Sequence, residues 1–207
     1  MVTTPPVRAD TPRARVVRYE IICRNTRMGR IVCVANQKGG VGKTTTASNV
    51  AAGLAKSGRQ TLLVDLDPQC NATTGLGGKP AATHPLVSES ALSDTIMSTA
   101  VTNLSLLPGS RSVRDVERLA EQARNGSMVL SNHLSCGLNA WDYCLIDCPP
   151  SLGELTRTAL AGSTEVLMPI QCEYFALEGL TQMIEVIRDV MAEQPGRLSF
   201  SGIVLTM

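Results

Sequence analysis

The stretch NQKGGVGKTTT (residues 36–46) lies between a short apolar run and an alanine-rich segment. Phosphate-binding loops follow the pattern G-x-x-x-x-G-K-[ST], and Gly42, Lys43 and the threonine after them supply its end. Glycines let backbone amides turn toward phosphate oxygens, and a helix that begins there adds the positive end of its dipole. Gln37 replaces the first glycine of the pattern, and a second lysine, Lys38, stands in the loop. The stretch predicts a phosphate site and raises the question of what Lys38 does.

The bulk composition is that of a globular protein. Of the 207 residues, 43% are hydrophobic and 18% are charged, and the length suffices for one domain with a sizeable core. The formal net charge is +1, so bulk charge argues neither for nor against nucleic acid, and a basic binding surface would have to be local. No apolar run approaches the roughly 20 residues of a membrane span, and no secretory signal is apparent. We therefore expect a cytoplasmic protein.

The seven cysteines form no C-x-x-C pair, and several lie in apolar, strand-like runs. This usage favours buried, reduced thiols in a cytosolic protein. Metal ligation is the alternative, because Cys144 and Cys148 would share one strand face. Their spacing is not that of a zinc site.

Residues 1–27 differ from the rest of the chain. They contain six arginines and three prolines but only two acidic residues, with poor periodicity, which predicts a disordered basic arm. The arm could contact nucleic acid, could be an organelle transit peptide, or could result from a wrongly assigned start. Met28 directly precedes the first strand-like run, so we place the domain at 28–207 and favour Met28 as its natural start.

From residue 30 onward, strand-like and helix-like segments alternate. Strands are predicted at 30–36, 61–67, 104–109, within 141–150, at 163–170 and at 200–207, and helices at 44–58, 112–126 and 176–196, whereas residues 68–103 remain unassigned. Such alternation implies right-handed βαβ units and an α/β fold with a doubly wound, mainly parallel sheet. The chain ends within or just after a strand that has no covering helix, so we expect it to be a shortened form of a longer protein.

Two of the helices show apolar stripes that should face the sheet. In the first helix the stripe comprises Ala47, Val50, Ala51, Leu54 and Ala55. In the last helix it comprises Leu177, Leu180, Ile184, Ile187 and Met191.

The segment KGGVGKTT (residues 38–45) matches the deviant loop [KR]-G-G-x-G-K-[ST], and in this respect the chain resembles the ParA/MinD group of P-loop ATPases. It is more similar to the ParA/Soj partition branch, which has runs like ANQKGGVGKTTT, LLVDLDPQCNAT, YCLIDCPPSL and PIQCEYFALEGL in this order. The resemblance covers roughly residues 30–207. It implies a three-layer α/β/α P-loop NTPase fold with a deviant Walker A loop, and ATP and Mg²⁺ as cofactors.

The resemblance also answers the question about Lys38. Lys43 would serve the nucleotide of its own subunit, whereas Lys38 would reach across a dimer interface to the phosphates bound by the partner. ATP would then hold two subunits together, and slow, Mg²⁺-dependent hydrolysis would release them. The nucleotide-binding residues implied are Lys38, Gly39, Gly40, Val41, Gly42, Lys43, Thr44 and Thr45.

Three carboxylates complete the predicted site. Asp147 closes the apolar run YCLID in the manner of a Walker B strand, whose aspartate holds Mg²⁺, and Thr44 would offer its hydroxyl to the same ion. Asp65 and Asp67 share one face at the end of their strand. By resemblance, Asp67 polarises the attacking water, and Asp65 supports either the metal or the segment that follows. A simple strand-end role remains an alternative for Asp65.

The function implied by the resemblance is an ATP-dependent dimer that binds DNA non-specifically, associates with the nucleoid and is stimulated by a ParB-type partner. The catalytic set is then Lys38, Lys43 and Asp67, whereas the role of Glu173 in EYFALEGL stays open. A membrane-positioning ATPase of the MinD type would need a C-terminal amphipathic helix. An inactive truncated remnant is a third possibility. An electron-transfer ATPase similar to the nitrogenase iron protein would need a cluster-binding cysteine pair, which the spacing does not offer.

Overall fold

The computed structural model describes residues 29–85, 94–112, 140–173 and 176–207, without the side chains of 176–178. The arm predicted at 1–27 lies outside the described residues. Nearly all of the helix predicted at 112–126 does so as well. Among the described residues, no helix is long and apolar enough to cross a bilayer.

Strands and helices alternate along the described part of the chain. The elements are β1 (Arg30–Val34), α1 (Lys43–Lys56), β2 (Thr61–Asp65), α2 (Asn71–Gly75), β3 (Met97–Ser98), β4 (Leu104–Leu107), β5 (Tyr143–Asp147), α3 (Glu154–Ala161), β6 (Glu165–Gln171), α4 (Ala176–Glu193) and β7 (Ser199–Thr206). The predicted strands are thus confirmed, with ends that differ by a few residues. Residues 66–67 leave the sheet after β2, and this departure carries Asp67 toward the site.

The described strands form one sheet in the order β3-β4-β2-β5-β1-β6-β7. All neighbours are parallel except β3 and β4. β1 lies between β5 and β6, so that Val34 pairs with both Asp147 and Leu167. The chain leaves β1 toward β2 on one side and later reaches β6 on the other, which is the topological switch point where α/β sheets bind ligands. The doubly wound fold is confirmed.

The core occupies both faces of the sheet, because the central strands are apolar on both sides. On one face, side chains such as Cys33, Val64 and Ile146 pack against α3 and α4. On the other, Val34, Leu63 and Leu145 pack against α1 and α2. These two clusters give the three-layer α/β/α arrangement that the sequence predicts.

The apolar stripe predicted for α1 is correct only in its small residues. Ala47, Ala51 and Ala55 are buried, and their size lets the helix lie close to the sheet. Val50 is instead 37% exposed, and Leu54 is only partly buried.

The stripe predicted for α4 is wrong at two of its positions. Ile184 and Met191 are exposed, whereas Met183, Ile187 and Val190 are buried. Apolar residues cover a wide arc of this helix, so the sequence pattern allows more than one inward face. Packing beside α3 selects the face that carries Met183.

Four of the five described cysteines are buried, and all five are free thiols. The Sγ atoms of Cys33 and Cys148 lie 3.3 Å apart on neighbouring strands. Burial raises the pKa of the Cys144 thiol. Among the described residues, no group of three or more His, Cys, Asp and Glu side chains is arranged to hold a metal ion.

Candidate functional site

The phosphate-binding loop connects the carboxyl end of β1 to α1. Gly40 and Gly42 have φ values of 78° and 82°, a left-handed conformation that favours glycine. Gly42 is the N-cap of α1, and the helix starts when the amide of Thr46 donates to the carbonyl of Gly42 at 2.8 Å. No described side chain caps this end, and no acidic residue lies in the first turn. The helix therefore presents free amides and its positive dipole end to an anion.

Two hydrogen bonds hold the loop against the ends of β6 and β7, and a third braces it internally. Asn36 donates from its Nδ2 to the carbonyl of Pro169 at 2.7 Å, and its Oδ1 accepts the amide of Lys38 at 3.1 Å. The Thr206 hydroxyl donates to the carbonyl of Val41 at 3.0 Å. A peptide unit is planar, so a bond to the Val41 carbonyl also fixes the direction of the next amide, that of Gly42.

The two lysines of the loop have different environments. Lys43 is only 7% exposed, and its Nζ donates to the carbonyl of Lys38 at 2.8 Å. Burial lowers the pKa of Lys43, and the negative charges of Asp147 and Asp67 act in the opposite direction. Lys38 lies at the rim, where its Nζ forms an ion pair with Glu173 of the same chain.

Asp65 and Asp147 are register partners on the neighbouring strands β2 and β5, and both are fully buried. Asp65 accepts three hydrogen bonds, from the amide of Asp67 at 3.1 Å and from the amide and hydroxyl of Thr73 at 2.8 Å and 2.6 Å. Neither carboxylate oxygen of Asp147 has a hydrogen-bond partner in the described part of the chain. Burial raises the pKa of Asp147 to about 7, whereas the nearby Thr44 hydroxyl and the Lys43 charge lower it.

Asp67 lies in the turn that follows β2 and is 7% exposed. Its Oδ1 accepts the amide of Gln69 at 2.8 Å, and its carbonyl accepts the amide of Cys70 at 2.8 Å. Cys70 has a φ of 56°, a left-handed conformation that directs the chain into α2. These bonds fix the Asp67 carboxylate near Lys43, where its negative charge acts to raise the pKa of that lysine.

The structure brings most of the predicted site residues to the carboxyl ends of β1, β2 and β5. Lys43, Thr44, Asp67 and Asp147 converge there. Thr45 is exposed on α1, and its predicted part in nucleotide binding stays a prediction. For Asp65, the contacts favour support of the following segment, because three protein donors already engage its oxygens.

Sequence reasoning missed four supporting residues: Asn36, Thr73, Glu173 in its pairing with Lys38, and Thr206. Asn36 and Thr73 lie within the quoted motifs, so their positions carried a signal that the pattern alone could not interpret. Thr206 lies in an ordinary strand pattern, and nothing local marks it.

Comparison with known proteins places this geometry in context. The AAA domain family matches residues 29–200 of the chain. The sporulation initiation inhibitor protein Soj of Bacillus subtilis is 43% identical over 185 residues, which cover 87% of this chain and 73% of Soj. The chromosome partitioning protein ParA of Myxococcus xanthus is 44% identical over 185 residues, which cover 87% of this chain and 65% of that protein.

A solved structure shares the fold and contains ligands. It is that of cobyrinic acid a,c-diamide synthase from Mycobacterium smegmatis with bound ADP and magnesium. The TM-score is 0.81 at 36% sequence identity, and the match covers 86% of this chain and 74% of that one.

Proposed function

The chain belongs to the ParA/Soj family of partition ATPases, and from this premise we propose that it is an ATP-driven dimer switch that partitions chromosomal or plasmid DNA. One observation carries the proposal. A two-lysine phosphate loop at the free N-terminus of α1 faces a buried carboxylate, Asp147, whose oxygens accept no hydrogen bond from the described residues. Such a carboxylate is costly to bury unless a cation completes it.

The residues fit ATP and Mg²⁺. The left-handed glycines, the uncapped α1 amides and the buried Lys43 ammonium suit a triphosphate. The two unpartnered oxygens of Asp147, with the Thr44 hydroxyl beside them, suit a hard divalent cation. When bound, Mg²⁺ would neutralise the negative charge that develops on the phosphates during hydrolysis.

Each chain contributes residues with separate tasks. Lys43 exchanges its bond to the Lys38 carbonyl for the phosphates of its own nucleotide, which keeps its charge satisfied in both states. Asp67, fixed by the turn after β2, orients the attacking water and accepts its proton. Lys38 reaches the phosphates bound by the partner subunit, so the dimer assembles only when nucleotide is present.

The partners proposed are a second copy of this chain, a ParB-type protein and DNA of any sequence. The names of the Soj and ParA relatives support a partition role. Binding to DNA without sequence preference rests on phosphate contacts, so its affinity should fall steeply as salt rises. We place the working protein at the nucleoid in the cytoplasm.

Three variants test the separate roles of Lys43, Lys38 and Asp67 in the proposed switch. Lys43→Ala should abolish ATP binding, Lys38→Ala should keep binding but lose the ATP-dependent dimer, and Asp67→Ala should accumulate an ATP-bound dimer that hydrolyses slowly. Nucleotide binding by calorimetry and mass by light scattering distinguish these outcomes. An ATP-dependent dimer of Lys38→Ala would exclude the cross-subunit role, and absence of ATP binding by the unchanged chain would favour an inactive remnant.

A second experiment tests the DNA partner. With ATP, the chain should shift DNA fragments of unrelated sequence equally, with a steep dependence on salt, and Lys38→Ala should not. Sedimentation with liposomes is the matched control. ATP-dependent binding to liposomes without binding to DNA would replace the partition proposal with a MinD-type role.

A further inference from the structure

Glu173 is the second residue after the end of β6. Its amide donates to the carbonyl of Gln171 at 2.8 Å, and the amide of Cys172 donates to the carbonyl of Thr206 at 3.4 Å. The bonds from Asn36 to the Pro169 carbonyl and from Thr206 to the Val41 carbonyl place this end of the sheet beside the phosphate loop. From this position Glu173 forms an ion pair with Lys38, the lysine assigned above to the partner's nucleotide.

Lys38 has a fixed backbone and a side chain that can reorient. Its amide donates to Asn36, and its carbonyl accepts the Nζ of Lys43. Its side chain is 35% exposed and that of Glu173 is 49% exposed, so solvent reaches both ends of the pair. Movement of the ammonium away from Glu173 therefore requires rotation of the Lys38 side chain, and it leaves the bond from the Lys38 amide to Asn36 in place.

We propose that Glu173 is the resting counter-ion of Lys38 and competes with partner-bound phosphate for its ammonium, an inference that rests on the proposed dimer switch. The two positions of the Lys38 ammonium exclude each other, because it cannot contact Glu173 and a phosphate bound by the other subunit at the same time. Each subunit must break its own pair before the dimer closes. Glu173 thereby raises the concentration of ATP-loaded chain that is needed for dimerisation.

The expected effect is moderate because the pair is exposed. Exposed ion pairs shift an equilibrium by about 1.5- to 5-fold. Two such pairs break for every dimer that forms, so the effect on the dimer dissociation constant is roughly the square, about 2- to 25-fold.

The test compares Glu173→Gln with the unchanged chain in a non-hydrolysable ATP analogue, by sedimentation velocity over a range of protein concentrations. Glutamine keeps the size of the side chain and removes its charge. Glu185→Gln, at an exposed position on α4, is the matched control for the loss of one negative charge. We expect the dimer dissociation constant to fall about 2- to 25-fold in Glu173→Gln and to stay unchanged in the control.

A second readout examines the nucleotide-free chain. An amine-acylating reagent, followed by peptide mass spectrometry, measures the labelling rate of Lys38 against exposed Lys56 as an internal reference. Loss of the counter-ion should speed labelling of Lys38 alone. A weaker dimer in Glu173→Gln would mean that Glu173 binds the partner, and this result overturns the inference.

Unchanged dimerisation of Glu173→Gln would overturn the inference while the switch itself stands. If the unchanged chain forms no dimer with the analogue, the proposed function fails, and competition by Glu173 fails with it. Faster Lys38 labelling in that case would show only a resting ion pair.

Discussion

Asp65 and Asp147 occupy equivalent places on neighbouring strands, and yet their surroundings are opposite. They are register partners at the carboxyl ends of β2 and β5, and neither is exposed. Asp65 accepts three hydrogen bonds, whereas both oxygens of Asp147 lack a partner among the described residues. Two carboxylates with the same position in a strand can therefore have different tasks, and the donors around each one distinguish them.

Among the described residues, the donors to Asp65 all come from the segment that follows β2. Thr73 donates twice to Asp65, and its hydroxyl in turn accepts the amide of Gly109 at 2.8 Å. A Cβ atom on Gly109 would lie 2.9 Å from the Asp65 carboxyl carbon, so only glycine permits this close approach. Through Thr73, Asp65 thus connects the end of β2 to α2 and to Gly109, which follows β4. These contacts stabilise the turn that carries Asp67.

Of the changes that test the contrast between Asp65 and Asp147, we expect Asp147→Asn to have the largest effect. The amide keeps the shape but removes the charge proposed to hold Mg²⁺, so ATP hydrolysis should fall by about 100- to 1,000-fold. The measurement is phosphate release at saturating ATP and Mg²⁺. Activity within a few-fold of the unchanged chain would remove Asp147 from the site.

The matched change at the other carboxylate, Asp65→Asn, should act on stability. The NH₂ group of the asparagine cannot accept a hydrogen bond, so a buried donor of Thr73 or Asp67 would lose its partner. We expect a loss of about 3 kcal/mol in the free energy of unfolding, measured in urea. If Asp65→Asn folds as stably as the unchanged chain but no longer requires Mg²⁺, the anchor and ligand roles given to the two aspartates must be exchanged.

The contrast also predicts a dependence of stability on pH. Because burial raises the pKa of Asp147 from 3.8 to about 7, the folded state holds a proton that the unfolded state has lost between those values. Without nucleotide and metal, stability should therefore decline as pH rises from about 4 to 7 and then level off. Asp147→Asn removes this ionisable group and should therefore flatten the decline. Urea titrations at several pH values measure it, and an unchanged slope would contradict the assignment.

The smallest effect is expected at the loop itself. Thr206→Val removes the hydroxyl bonded to the Val41 carbonyl, loosens the direction of the Gly42 amide and should weaken ATP binding about fivefold. Thr206→Ser restores the hydroxyl and should restore affinity. Calorimetry measures both variants, and equal affinity of the valine and serine forms would mean that the bond has no part in positioning the loop.

Local patterns predicted the fold, and they marked most of the residues that meet at the carboxyl ends of β1, β2 and β5, because such patterns depend on neighbours in sequence. The loop glycines, Lys43 and the apolar run that ends at Asp147 can be recognised without knowledge of the fold. Contacts between distant residues could not be predicted this way: Thr206 reaches Val41 across 165 residues, and Gly109 meets Thr73 across 36. The inward face of α4 was predicted wrongly because its broad apolar arc leaves the choice to packing against other elements.

The loop bonds of Asn36, Lys43 and Thr206 have a calorimetric consequence. A loop already folded in the absence of ligand needs little ordering when ATP enters, and little apolar surface changes its exposure. The heat-capacity change of nucleotide binding by the monomer should then be close to zero. Closure of two subunits buries surface and gives a negative heat-capacity change. Calorimetric titrations at several temperatures therefore distinguish nucleotide binding by the monomer from association of the two subunits, without any label or variant.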